Sequence, residues 1–86
     1  MKAIPNRPKI IEAYQVPEGS VSPDIFKLPC VVEASKLGDG NTDYTVINGY
    51  FQGHEFADYT DYICKADDGK WFVLSSEKYH EFLSDD

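Results

Sequence analysis

Residues 59 to 66 and 70 to 75 form two runs rich in β-branched and aromatic side chains, and only Asp67-Asp68-Gly69 separates them. Asp-Gly tolerates the left-handed backbone that tight hairpin turns require, so this stretch specifies an antiparallel hairpin. With Asp68 and Gly69 as a two-residue turn, Ala66 pairs with Trp71 and Cys64 with Val73 on one face. Lys65 then pairs with Phe72, and Ile63 with Leu74, on the other. The base of such a hairpin is apolar on both faces, whereas an exposed meander strand alternates. The pattern therefore predicts burial at the centre of a small barrel or curled sheet.

The other elements arrange themselves around this hairpin. Residues 7 to 15, Arg-Pro-Lys-Ile-Ile-Glu-Ala-Tyr-Gln, read as a first strand, with Ile11 and Ala13 on one face and Ile10, Glu12 and Tyr14 on the other. Ser22 as N-cap and Pro23 at the first helical position predict a short helix over 23–28, which Pro29 stops. Residues 30 to 34 fit a second strand. Gly38, Asp39, Gly40 and Asn41 then predict a mobile loop between Lys36 and Asp43. Residues 44 to 49 give a third strand ending in an Asn48-Gly49 turn, from which a hairpin runs into residues 50 to 57. Ser75 or Ser76 caps a closing helix from about Glu77 to Leu83, where Tyr79, Phe82 and Leu83 form one apolar stripe and Lys78, Glu81, Asp85 and Asp86 stay in water.

These elements predict an α+β fold: a small curled antiparallel β-sheet or partly open barrel of about five strands, with a short helix near 23–28 and a C-terminal helix. At 86 residues the chain has room for a single domain over 1–86. Its twelve aromatic residues supply enough apolar area to fill a core of that size. No run of about 18 apolar residues is available to span a membrane as a helix. No apolar segment of the secretory kind follows the first seven residues, which points to the cytoplasm, with Cys30 and Cys64 reduced and acting as small buried hydrophobes.

Net charge is −7, and it is unevenly spread. Residues 1 to 43 carry five basic and six acidic side chains, and residues 44 to 86 carry three and nine. Direct binding to nucleic acid or an anionic membrane needs clustered Lys and Arg, so this balance argues against both and allows a basic protein partner.

Catalytic patterns are sparse. His54-Glu55 is an acid-base candidate, but neighbours on a strand face opposite ways, so an exposed histidine is the simpler reading. His80 sits off the apolar stripe of its helix and reads as solvated. Cys30, His54, Cys64 and His80 match no zinc spacing, and Asp58, Asp61, Asp67 and Asp68 lack the ladder of a calcium loop, so no metal and no cofactor is expected. Serine-nucleophile and phosphate-loop signatures do not occur. Tyr44, Tyr50, Tyr59, Tyr62 and Tyr79 all lie in the acidic half, where tyrosine serves either the core and its rim or an interface. The binding candidates are Tyr50, His54, Glu55, Asp58, Tyr59 and Asp61.

Two segments carry a resemblance. The opening Arg7-Pro8-Lys9-Ile10-Ile11-Glu12-Ala13-Tyr14-Gln15 resembles the R-K-K-P-V-V-I-E-A-x-Q start of a family of small uncharacterised phage and prophage proteins. Residues 60–64, Thr-Asp-Tyr-Ile-Cys, then 69–72, Gly-Lys-Trp-Phe, and 77–82, Glu-Lys-Tyr-His-Glu-Phe, are similar to that family's G-D-Y-I-I-x-G-x-x-G-E-x-Y stretch and its closing D-I-F-x-x-x-Y. The chain departs from the pattern at Thr60, where the family has Gly, and in the insert-like loop between Lys36 and Asp43. The resemblance implies a virus-encoded accessory protein acting in the cytoplasm of a bacterial host, and it brings no catalytic residue.

The expected function is non-catalytic binding of a host or phage protein through an acidic, aromatic-rich surface. Two alternatives stand beside it: a DNA-mimicking inhibitor of a nucleic-acid-binding protein, and a small-molecule-binding or hydrolytic protein with a pocket lined by His54, Tyr50 and Tyr59.

Overall fold

The computed structural model describes residues 9–50 and 53–84. In chain order these form β1 (Ile10–Gln15), α1 (Pro23–Phe26), β2 (Val31–Lys36), β3 (Thr42–Asn48), β4 (Gly53–Ala57), β5 (Tyr62–Ala66), β6 (Trp71–Leu74) and α2 (Ser76–Ser84). The strands make two antiparallel three-stranded sheets, β1-β5-β6 and β2-β3-β4. The fold is α+β as expected, but the expected single curled sheet or barrel of about five strands is replaced by two sheets with six strands among the described residues. The physical reason lies in the connection from β1 to β2. Its Val16, Ile25, Leu28 and Cys30 are buried in the core between the sheets, so side chains rather than a strand ladder fill that side.

Burial of β5 on both faces holds. Ile63 belongs to a core with Tyr44, Val46 and Ala57 of the second sheet, and Tyr14, Trp71 and Val73 pack against it. Cys64, Ala66 and Phe72 form a separate cluster with Ile10, Ala13, Tyr62, Leu74 and Tyr79. The β1-β5-β6 sheet is thus the middle layer, with β2-β3-β4 on one side and α2 on the other.

The hairpin register differs from expectation by one residue. Lys65 pairs with Trp71, Cys64 with Phe72, Ile63 with Val73 and Tyr62 with Leu74. The loop has three residues, since the Ala66 N–H donates to the Lys70 carbonyl and the Gly69 N–H to the Ala66 carbonyl, both at 2.9 Å. Gly69 takes φ +88°, the left-handed position that closes a three-residue loop and that glycine fills without strain.

Strand 1 also departs from simple alternation. Its register against β5 shifts between Ile10 and Glu12, which places Ile10 with Ala13 in the α2-side cluster and leaves Ile11 exposed. The part of this expected strand before Lys9 lies outside the described residues, as do Asp85 and Asp86. The helix expected over 23–28 is a single turn. Its Ser22 makes no side-chain cap bond; instead the Ser22 N–H donates to the Tyr44 hydroxyl at 2.8 Å.

The loop expected from 36 to 43 is shorter and anchored. Asn41 Oδ1 accepts from the Gly19 N–H at 2.8 Å, and the buried Thr42 hydroxyl donates to the Gly19 carbonyl at 2.9 Å. Asn48 and Gly49 do not form a two-residue turn, because Asn48 pairs with Gly53 and its Oδ1 accepts from the Tyr50 N–H at 2.6 Å. In α2, Ser75 Oγ caps the Lys78 N–H at 3.2 Å. Tyr79 stacks on Tyr62 at 3.9 Å between ring centroids, and Phe82 lies 6.2 Å from Phe72. Leu83, expected in that stripe, is exposed, because two aromatic rings already cover the short face of β5 and β6.

Two bonds tie the sheets together along β6. The Gly49 N–H donates to the Trp71 carbonyl at 2.8 Å, and the Val73 N–H donates to Glu55 Oε2 at 3.2 Å. Asn48, itself buried, donates its side-chain N–H to that same Glu55 oxygen. An edge strand that would offer free N–H and C=O groups is thereby occupied.

Candidate functional site

The six candidate residues separate into four places. Glu55 stands between the sheets: its carboxylate accepts from Asn48 and Val73, as above, and joins the two. His54 is exposed on the outer face of the β2-β3-β4 sheet, opposite Ile47. Tyr50 lies at the β3–β4 connection, beside the tip of the β5–β6 hairpin. Its hydroxyl donates to the Asp68 carboxylate at 3.0 Å, its ring meets Phe72 edge-on at 5.7 Å, and Lys70 Nζ stands 5.2 Å over it. Partial burial, and then the Asp68 hydrogen bond, push the Tyr50 hydroxyl up to about 12. The Lys70 N–H, and after it the Tyr50 hydroxyl, hold Asp68 below the usual carboxylate range.

Asp58, Tyr59 and Asp61 come together in the turn from β4 to β5. Asp58 Oδ1 accepts from the Tyr59 N–H at 2.8 Å, Asp61 Oδ2 from the Asp58 N–H at 3.0 Å, and the Asp61 N–H donates to the Asp58 carbonyl at 3.0 Å. Tyr59 is left 42% exposed at the head of this turn. Sequence reading missed Asp43 and Asp39, which strand pairing and the folded loop bring to the same end of the sheet. Asp43 Oδ1 is buried without a hydrogen-bond partner. Burial first, then the charges of Asp58, Asp61 and Asp39 and contact with Asp58, raise the Asp43 carboxyl above its ordinary value of 3.8.

A raised carboxyl destabilises the fold while it is ionised, and that penalty fades as pH falls through the folded value towards 3.8. Asp43→Asn is therefore expected to gain about 0.5–1 kcal/mol near neutral pH, the range for a partly exposed charge contact. The gain should shrink on acidification and vanish below the ordinary carboxylate value. Urea titrations of both proteins at several pH values measure it, and a gain that does not change with pH would assign it to shape rather than charge.

Thr60 adopts φ +76°, an unusual conformation for any residue with a Cβ and more so for a β-branched one. Its N–H donates to the Val16 carbonyl at 3.1 Å, and the Val16 N–H donates to the Asp61 carbonyl at 2.8 Å, so the ladder with β1 holds the turn in place. Thr60→Gly is expected to raise the thermal midpoint, by about 1 kcal/mol of stability, because it removes the clash between Cβ and carbonyl at a modest entropic cost. A lower midpoint would show that the Thr60 side chain makes a contact worth more than the strain.

The tyrosines divide in the same way. Tyr44 is fully buried, Tyr62 and Tyr79 stack on each other, and Tyr50 and Tyr59 keep 43% and 42% of their surface. Tyr50 and Tyr59 stand beyond opposite ends of β4, a five-residue strand about 17 Å long. They do not line one pocket with His54. An open cavity of about 280 Å³ instead lies between Pro29, Ile47, Gly49, Lys70 and Trp71.

Cys30 and Cys64 are free, buried and in different clusters. Burial pushes their thiols up to about 11 and about 12, which removes thiolate character at neutral pH. Among the described residues, no group of three or more His, Cys, Asp or Glu side chains is placed to hold a metal ion, and no helix is long and apolar enough to cross a membrane. Compared with the known protein families, with curated proteins and with solved structures, the chain matches none.

Proposed function

We propose that this chain is a phage-type accessory protein that binds a basic host or phage protein without catalysis, in the cytoplasm of a bacterial host. The observation that carries the reading is the convergence of Asp39, Asp43, Asp58 and Asp61 at one end of the β2-β3-β4 sheet, next to the exposed Tyr59. Carboxylates gathered around an aromatic ring attract Lys and Arg, and the ring adds cation–π and apolar contact. The gathering of charge at one end favours recognition of a protein patch over imitation of duplex DNA, which calls for carboxylates in a long row.

The test compares the wild-type chain with the Asp58→Asn/Tyr59→Ser double variant, each immobilised and exposed to bacterial lysate with and without phage infection. A basic protein retained by the wild type at low salt, released at high salt and absent from the variant is the expected result. Retention of nothing that the variant loses, with a nucleotide or other small molecule co-purifying, would replace this reading with the small-molecule one.

A further inference from the structure

Asn48-Gly49 carries a reaction that needs no enzyme. Glycine has no Cβ to obstruct its own nitrogen, so the Gly49 backbone N can attack the side-chain carbonyl of Asn48. In that step the bond from Gly49 N to Asn48 Cγ forms and the bond from Cγ to Nδ2 breaks. Ammonia leaves with the proton that the Gly49 nitrogen gives up. Water then opens the five-membered imide at either carbonyl, which puts aspartate or isoaspartate in place of asparagine. Of the chain's three asparagines, only Asn48 is followed by glycine.

The fold holds each participant in this reaction apart from the others. Asn48 ends β3 in a pair with Gly53, and extended backbone, with ψ about +135°, turns the next nitrogen away from the side chain. The Gly49 N–H donates to the Trp71 carbonyl at 2.8 Å, which fixes the nucleophile towards β6. The leaving group, Nδ2, donates to Glu55 Oε2, and Oδ1 accepts from the Tyr50 N–H at 2.6 Å. Asn48 keeps only 8% of its surface, so little water reaches it. The restraints on Gly49 N and on Nδ2 both end on the junction with β6, because Glu55 Oε2 also accepts from the Val73 N–H. Parting of β3 and β4 from β6 releases nucleophile and leaving group together.

We propose that Asn48 is a deamidation site guarded by the junction between the two sheets, reacting through molecules in which β3 has parted from β6. A slow reaction of this kind follows the population of the locally opened state. Conversion then keeps the junction from closing as before. A carboxylate at residue 48 has no N–H to give Glu55 and sets two like charges on the single Val73 donor. Isoaspartate also lengthens the backbone by one methylene and breaks the register with Gly53. Tyr59 and its turn lie at the other end of β4 and take no part, so the site is independent of the proposed function.

The experiment incubates the full chain at mildly alkaline pH, in buffer and in concentrated guanidinium chloride, and follows residue 48 by mass spectrometry of the tryptic peptide 37–65. Conversion with a gain of one mass unit, and with isoaspartate among the products as the mark of the imide, is expected at least about thirtyfold faster in the unfolded chain. In buffer, Glu55→Ala should speed conversion at least about tenfold, and Glu55→Gln less, while both remain folded by circular dichroism. Tyr79→Ala, which loosens α2 on the far side of the β1-β5-β6 sheet, should leave the rate unchanged. Asn48→Asp, the product made directly, should have a lower urea midpoint than the wild type. Equal rates in buffer and denaturant, aspartate with no isoaspartate, or equal acceleration by Tyr79→Ala and Glu55→Ala would each overturn the proposal. Should Glu55→Ala fail to fold, a Glu55→Gln chain that converts no faster than the wild type, or an Asn48→Asp chain of unchanged midpoint, would overturn it as well.

Discussion

Glu55→Ala is expected to lower the unfolding free energy by about 2–3 kcal/mol, read as a fall in the urea midpoint with an unchanged slope. The carboxylate of Glu55 accepts from the buried Asn48 side chain and from the Val73 backbone N–H on the edge of the other sheet. Truncation leaves both donors without an acceptor inside a half-buried corner, where each orphaned donor costs more than a typical hydrogen bond contributes. Glu55→Gln should cost less, because its amide oxygen still accepts from one of the two donors. For a domain of this size the alanine variant removes a large part of the total stability. A loss under about 0.5 kcal/mol would show that apolar contact alone holds the sheets together.

Gly49→Ala is the second large effect, expected at about 1–3 kcal/mol from overpacking. A Cβ on residue 49 would lie 2.8 Å from Lys70 Cβ and 3.3 Å from Lys70 Cα. The second of these atoms is backbone and cannot rotate away. Relief requires β3 and β6 to separate, which stretches the 2.8 Å bond from the Gly49 N–H to the Trp71 carbonyl. Faster amide exchange at Gly49, alongside the lower urea midpoint, is the accompanying sign. A variant of wild-type stability with a protected Gly49 amide would place the flexibility in the Lys70 backbone.

Local chemistry made much of the fold legible. Ser75, the Tyr79 and Phe82 spacing and the Pro23 start marked both helices, and Asp-Gly between apolar runs marked the hairpin. The one-residue error in register came from assigning Gly69 to a two-residue turn, when glycine serves equally well as the left-handed residue of a three-residue loop. Division into two sheets was not legible, since β1 pairs with a strand some fifty residues further on and no local pattern encodes that partner. Glu55 shows the same limit. Alternation correctly put it on the face opposite His54, but the donors that capture it belong to Asn48 and to a strand of the other sheet. In the candidate site, Asp58, Tyr59 and Asp61 were visible because they are adjacent in sequence. Asp39 and Asp43 were missed because only tertiary structure brings them there.

The pairing of β1 with β5 has a kinetic side. Strands β2, β3 and β4 follow one another and can zip through short loops, while β1 has to wait until the intervening segment has folded before its own ladder can close. Capture of β1 is then expected late on the way to the native state, and a nascent chain emerging in order would carry that strand unpaired until Tyr62–Ala66 had been made.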